Sequence, residues 1–154
     1  MYEKTSPLQL KENRRHSSAL IPYSVYQCVL PEVLPGVPMH WHREFEINRI
    51  LSGQGQVILG EEKYVVSEGD IVIIPPNVLH AAYAVEGNSF VYDALVFSHS
   101  ILGTENNDRS IARYIRPIVS GQRKIMMLIA SNNDRYDEFK KCMDEIFFCA
   151  IENK

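Results

Sequence analysis

The sequence predicts a mainly β fold, a double-sheet jelly-roll barrel that is followed by C-terminal α-helices. Between Tyr23 and Ser98, short apolar or alternating runs are separated by turn residues, and no segment is long enough for a good helix. Beyond Ser98 the apolar residues recur at helical spacing. Many short strands in one domain fit two sheets that fold over one another, because this arrangement limits exposed strand edges.

The predicted strands are bounded by glycine, proline and asparagine turns. The run Leu59–Glu62 predicts a tight hairpin, and Ser67–Asp70 predicts a turn in which Gly69 takes a positive φ. Consecutive strands are therefore expected to be antiparallel neighbours. The predicted strands are Tyr23–Leu30, Met39–His42, Phe45–Ser52, Gly55–Leu59, Glu62–Val66, Asp70–Ile74, Leu79–Val85 and Phe90–Phe97.

Two helices are predicted after the barrel. Asp108–Ser120 has isoleucines at helical spacing behind a cap at Asn107 or Asp108, and Pro117 should disturb its last turn. Asp134–Lys154 would form a helix of about 30 Å. Its apolar arc is wider than one contact with the barrel needs, so the surplus is either buried in the domain or contacts a partner. The residues of this arc are Phe139, Cys142, Met143, Ile146, Phe147, Phe148, Cys149, Ala150 and Ile151.

Composition limits the classes of protein to consider. The 154 residues suit one domain, and a net charge of −3 creates no field that would attract a nucleic acid backbone. The longest apolar runs are far shorter than the roughly 20 residues of a membrane span, and Met1–Asn13 does not resemble a signal peptide. We therefore expect a cytoplasmic protein with no membrane partner. The three cysteines, Cys28, Cys142 and Cys149, are expected to be buried, reduced thiols.

Four side chains of the metal-ligating type stand out on the predicted strands. His40 and His42 alternate along one strand and should face the same way, and Glu46 follows at even spacing. His80 lies on a later strand that could oppose them. Three imidazoles and one carboxylate suit a single divalent transition metal such as Zn, Ni, Fe or Mn. Without a metal, the same groups could hydrogen-bond a polar ligand.

Further candidate ligand-binding residues lie at strand positions whose side chains should point into the barrel. Asn48 and Tyr92 are expected to contact a ligand together with the three histidines and Glu46, whereas Trp41 should face the other surface of its strand. Arg43 and Glu44 lie in the loop at the predicted barrel mouth, where they would either bind an acidic or hydroxylated ligand or remain solvated charges. No catalytic residue is assigned.

These residues resemble the two motifs of the cupin family. Gly36, His40-x-His42, Glu46 and Gly53 resemble the first motif, and Gly69, Pro75, Asn77 and His80 resemble the second. Asn77 stands where the motif has glycine, and Ala84 replaces its closing asparagine. The resemblance implies a cupin double-stranded β-helix barrel.

The flanking sequence resembles the N-terminal domains of AraC-type transcription regulators. The similar segments are Met39–Glu46, Glu68–Asn77 and Ala94–Ser98. The resemblance implies a small effector, often a sugar, in the barrel, a homodimer formed by the terminal helices, and a helix-turn-helix half that binds DNA. The 154 residues contain no recognition-helix pattern, so we expect that the DNA-binding half is not part of this chain.

The domain organisation follows from this resemblance. Residues 1–20 would form an N-terminal arm, 21–102 the cupin barrel and 103–154 a helical dimerisation segment. The resemblance implies that the arm closes over bound effector or contacts the DNA-binding half. Two alternatives stay open: a stand-alone metal-dependent enzyme, such as a dioxygenase or a sugar isomerase, and a free-standing sugar-binding or storage barrel.

Overall fold

The computed structural model describes residues 7–18, 20–103 and 108–152. Short 3₁₀ turns occur at Pro7–Leu10 and His99–Leu102. No helix in these ranges is long and apolar enough to cross a membrane. The strands are β1 (Tyr23–Leu30), β2 (Val37–His40), β3 (Phe45–Leu59), β4 (Glu62–Ser67), β5 (Ile71–Ile74), β6 (His80–Ala84), β7 (Phe90–Phe97) and β8 (Leu128–Ile129), and the α-helices are α1 (Arg116–Val119) and α2 (Tyr136–Glu152).

The strands form two antiparallel sheets that share β3. One sheet has the order β1-β7-β3-β5-β8, and the other has the order β2-β6-β3-β4. The N-terminal half of β3 pairs with β5 and β7, and its C-terminal half pairs with β4 and β6. This double-stranded β-helix confirms the predicted cupin barrel with helices after it.

The strand β3 differs from the prediction because it is continuous where two strands were expected. Its register shifts between Ile50 and Ser52, and Gly53 then bends the chain with φ +79°. A Cβ atom on Gly53 would lie 1.8 Å from the carbonyl oxygen of Ser89, so only glycine fits this close approach. The predicted break is therefore a bulged bend, through which one strand passes from the first sheet to the second.

The connections between strands are partly as predicted. Leu59 pairs with Glu62 across a two-residue hairpin, and Gly69 has φ +90°, which confirms both predicted turns. Among the strands of the described ranges, however, β3 and β4 are the only consecutive pair that are neighbours in a sheet. The expectation of antiparallel neighbours was wrong elsewhere because the connections cross between the two sheets. The short strand β8, which pairs with β5, was not predicted.

The apolar residues form two separate cores. Inside the barrel, Leu30, Val66 and Phe90 are fully buried. On the outer face of the first sheet, Ile47 and Leu95 pack against α2. The helix contributes its buried residues Met143, Phe147 and Ala150 to this second core. Because neighbouring residues on a strand face opposite sides, β3 and β7 serve both cores at once.

The segment predicted as the first helix is broken. It forms a π-helical turn at Ile111–Ile115 and continues as α1. Pro117 has no N–H to donate to the carbonyl four residues earlier, which accounts for the widened turn before it. The Asp108 carboxylate accepts hydrogen bonds from the first backbone N–H groups of the segment, and the alternative cap Asn107 lies outside the described residues.

The expectation that all three cysteines are buried was wrong. Cys142 and Cys149 are exposed on one flank of α2, and Cys28 on β1 is half-buried. No disulfide bond joins these three residues. The prediction failed because the apolar arc of α2 is wider than the face that contacts the sheet, so its flanking residues stay outside the second core.

Candidate ligand and metal site at the barrel mouth

Four side chains from three places in the chain meet at one end of the barrel. His40 ends β2 and lies directly opposite His80, the first residue of β6, and Glu46 lies near the start of β3. His42 lies in the loop between β2 and β3. One nitrogen or oxygen of each side chain lies within 4.8 Å of those of the others. We call these four residues the histidine-glutamate cluster; its formation agrees with the side-chain parity predicted from the sequence.

Each histidine of the cluster is oriented by the backbone. His40 and His80 each donate from Nδ1 to the carbonyl oxygen two residues earlier, at 2.8 Å. His42 donates from Nδ1 to the carbonyl oxygen two residues later, at 3.1 Å. A carbonyl oxygen only accepts, so Nδ1 carries the hydrogen in all three rings. The Nε2 atoms are therefore the ones presented to the cluster, and backbone support of this kind is typical of metal-ligating histidines.

The turn between β5 and β6 also holds the site. The Asn77 N–H donates to the carbonyl oxygen of His42 at 2.8 Å, which ties the loop of one motif to the turn of the other. Asn77 has φ +64°, a conformation that asparagine tolerates better than most residues other than glycine. The departure from the cupin motif at this position is thus accommodated without a change in the turn.

The cluster is strongly coupled electrostatically. Burial opposes ionisation of Glu46, but the hydrogen bond from His42 Nε2 at 3.0 Å and the neighbouring imidazoles hold the pKa of Glu46 below its usual range. Burial likewise opposes protonation of His42, and the Glu46 carboxylate nonetheless raises the pKa of His42. Burial and the charge of His80 lower the pKa of His40. The cluster therefore carries a carboxylate beside imidazoles of unequal basicity.

Two buried polar atoms at the cluster have no hydrogen-bond partner among the described residues. His80 Nε2 lies 3.4 Å from Glu46 Oε2 without forming a hydrogen bond, and Asn48 Oδ1 is unpaired. An unpaired buried nitrogen costs free energy unless another group occupies the site. The orphaned imidazole nitrogen and the N₃O donor set fit a divalent transition metal.

The N-terminal arm lies over the cluster and brings in two residues that the sequence did not single out. Leu10 and Glu12 bond to the backbone of Trp41, and the side chain of Glu12 reaches to 3.6 Å from His40 Nε2. His16 is buried and bonds to Glu12 at 2.8 Å, a contact that outweighs the effect of burial and lowers the pKa of Glu12. The arm has an ordinary polar composition, so its sequence carries no signal for this position.

Two cavities of very different size adjoin the cluster. The cavity inside the barrel, which Asn48 and Tyr92 line beside Glu46 and His80, has a volume of about 10 Å³, room for at most a single water molecule. Burial raises the pKa of Tyr92, which is neutral there. A larger cavity of about 370 Å³, which we call the mouth cavity, lies between the arm and the loop before β3. It is lined by Lys11, Glu12, Asn13, Arg14, Arg15, His42, Arg43 and Glu44.

The fold and the site together define a cupin-type binding domain. Residues 34–151 match the family model described as the AraC-like ligand binding domain, and the chain belongs to that family. Membership in a family of ligand-binding domains agrees with the expectation of a regulatory domain rather than an enzyme.

The chain is also similar to individual known proteins. Over 125 residues the chain is 30% identical to the uncharacterized HTH-type transcriptional regulator YdeC of Bacillus subtilis; the match covers 80% of this chain and 42% of that protein. The chain thus spans about two-fifths of the length of this curated relative. A solved cupin protein from Bacteroides fragilis is 28% identical, with a TM-score of 0.49, over 57% of this chain and 75% of that one. A cupin family protein from Methanocaldococcus jannaschii is 20% identical, with a TM-score of 0.46, over 52% of this chain and 73% of that one.

The ion pair between His42 and Glu46 predicts a pH dependence. Because folding raises the pKa of His42 above its unfolded value of about 6.5, the stability that this proton contributes is fully present below that pH and is lost as pH rises through the folded pKa. Glu46→Gln should therefore lower the pKa of His42, measured by NMR titration of metal-free protein. Glu61→Gln, in the exposed hairpin, is the control, and an unchanged pKa of His42 in Glu46→Gln would contradict the assignment.

Proposed function

We propose that this chain is the effector-sensing and dimerisation domain of a bacterial AraC-type transcription regulator. The observation that carries the proposal is the family match over residues 34–151, joined with a polar cluster of which His42 lines the mouth cavity. The effector is a small metabolite, for which the resemblance implies a sugar or a related metabolite. The domain acts by binding and not by catalysis. The effector binds one of two arrangements of the domain more tightly and so shifts the equilibrium between them.

The proposal assigns parts to the segments of the chain. Residues 1–20 are the arm, 21–102 the effector-binding barrel and 103–154 the dimerisation segment, and DNA is bound through a separate helix-turn-helix half. A regulator of this class works in the cytoplasm. The effector contacts residues of the histidine-glutamate cluster, with Asn48 and Tyr92 behind them. In the present packing those two reach only the small inner cavity, so a ligand that touches them must displace its walls.

A metal is part of the proposal. His40, His42, Glu46 and His80 would hold one divalent transition metal, Zn, Ni, Fe or Mn, through three Nε2 atoms and one carboxylate oxygen. A bound ion would supply a positive, Lewis-acidic group beside His42, which lines the mouth cavity. The chain's own contribution is to fix the tautomers of the three imidazoles and to keep Glu46 ionised.

An apolar groove supports dimerisation through the C-terminal segment. The groove, of about 720 Å³, lies between α2 and the first sheet. Ile146 and Cys149 of α2 line one side, and Ile101 and Leu102 line the other. Phe148 and Ile151 are exposed farther along the helix. Exposed apolar surface of this extent is typical of a surface that meets a partner, and a second copy is the partner that the family implies.

The size of the native polypeptide tests the regulator proposal. An antibody raised against this domain should detect a band well above 17.7 kDa in immunoblots of the source cells, because the DNA-binding half would belong to the same polypeptide. A band at 17.7 kDa would contradict the proposal as stated.

Metal binding is tested by calorimetry with Zn²⁺ and Ni²⁺. The wild type should bind one ion per chain, more weakly at pH 5.5 than at pH 7.5 because protons compete for the imidazoles. His80→Gln should lower the affinity by at least about 100-fold, since it removes a direct ligand. His99→Gln, which lies outside the cluster, is the matched control. Equal affinities in the two variants would exclude the cluster as the binding site.

The dimer is tested with charges placed in the groove. Ile146→Glu combined with Cys149→Glu should convert a dimer into a monomer, because a buried unpaired carboxylate in an apolar interface costs several kcal/mol. Small-angle scattering measures the mass of the particle, and Lys141→Glu on the exposed side of α2 is the control. A dimer that survives the double substitution would place the interface elsewhere.

A further inference from the structure

The mouth cavity has a volume suited to a small ligand. Its 370 Å³ falls in the range of about 300–1,000 Å³ that is usual for small-molecule sites, whereas the inner cavity of about 10 Å³ holds no metabolite. One wall is the N-terminal arm, and the other is the loop that carries His42. A ligand of the barrel in this packing therefore sits at the mouth, where it touches residues of the arm as well as His42.

The charge of this cavity is opposite to that of the whole chain. The chain has a net charge of −3, yet the cavity is lined by four basic side chains and only two acidic ones. Both acidic groups are turned towards histidines: Glu12 bonds to His16, and Glu44 lies 3.9 Å from His42 Nδ1. The basic side chains are Lys11, Arg14, Arg15 and Arg43.

In the part of the chain that the structure describes, these four cations have no carboxylate partner that would neutralise them. None of them forms an ion pair with a carboxylate of residues 7–18, 20–103 or 108–152, although Arg49 and Arg135 in the same chain do. They are thus available to an anion that enters the cavity. The two carboxylates that line the same cavity, those of Glu12 and Glu44, lie against imidazoles instead.

Two of the cations are held in place by aromatic rings. The guanidinium of Arg14 lies 4.4 Å from the ring centroid of Tyr26, and the ammonium of Lys11 lies 5.8 Å from that of Trp41. The backbone of the arm is fixed by its bonds to Trp41 on both sides of Lys11. This arrangement reduces the ordering cost that an anion would have to offset on binding.

We propose that the mouth cavity binds a small metabolite through an anionic group, a carboxylate or a phosphate, which Arg14, Arg15 and Arg43 contact. This inference rests on the proposed effector-binding function and names the chemical class of the effector. Guanidinium groups present paired donors that match the oxygens of both anions. A sugar bearing a phosphate or an acid group satisfies the site, whereas a neutral sugar offers no counter-charge to the four cations that line the cavity.

Calorimetry on the full chain tests the proposal with three probes at 20 mM and 200 mM NaCl: succinate, inorganic phosphate and neutral ribose. At least one of the two anions should bind, and high salt should weaken its binding because the contacts are charged. The preferred anion identifies the group as a carboxylate or a phosphate. The measurement is repeated with and without added Zn²⁺, so that the anion site is separated from any effect of the cluster.

Substitutions locate the binding. Arg15→Ala combined with Arg43→Ala should lower the affinity for the anion about tenfold or more, because charge-assisted hydrogen bonds are lost. Arg123→Ala, an exposed cation away from the cavity, is the matched control and should leave the affinity unchanged. Circular dichroism checks that both variants are folded.

The outcomes separate this proposal from the proposed function. Binding of ribose with neither anion would overturn the anionic class while leaving an effector-binding domain in place. Absence of binding by both anions, or equal affinity in the double variant and the control, would also overturn it. A band at 17.7 kDa in the immunoblot would contradict the regulator and leave the anion site standing.

Discussion

The bend in β3 is the constraint on which the remaining structure depends. One continuous strand supplies neighbours to both sheets, and its bulge after Ile50 shifts the side-chain parity by one residue. Glu46, Asn48 and Ile50 therefore face inward before the bend, and Val57 and Leu59 face inward after it. The bend itself requires glycine at position 53, because the chain passes so close to Ser89. A side chain there would clash with the backbone of Ser89 and disturb the passage of β3 from one sheet to the other.

The same strand joins the site to the helix. Glu46 lies in the histidine-glutamate cluster, and Ile47, the next residue, packs on the opposite face against the core that α2 completes. Beneath the helix, Arg49 stacks on Phe147 while it bonds to the buried Asp93 of β7. A shift of β3 at the barrel mouth would therefore displace side chains that pack against α2, because these side chains are only one to three residues from Glu46 along the strand. Coupling of this kind needs two discrete arrangements with different affinity for the effector.

The sequence predicted the grouping of the four cluster residues better than the path of the chain. The parity of His40, His42 and Glu46 follows from strand geometry, and a motif spacing brought His80 to them, so these residues were found without coordinates. The continuity of β3 was missed because Gly53 has the same local signature in a turn as in a bulged bend. The two residues of β8 form a strand only because β5 offers an open edge. Glu12 and His16 were missed because their position depends on long-range contacts with Trp41 and Tyr26.

The arm is the part of the structure on which the proposed sensing depends. The inner cavity has no room for a metabolite in this packing, so under the proposed function a ligand would be recognised where the arm meets the loop before β3. The arm is fastened there by two backbone bonds to Trp41, one on each side of Lys11, by the His16 side chain between Glu12 and Tyr26, and by the bond from the Ser24 hydroxyl to the carbonyl oxygen of His16. An anion that bridges Arg14 and Arg15 of the arm to Arg43 of the barrel would add contacts only to the docked arrangement, and this differential affinity is what a population shift requires.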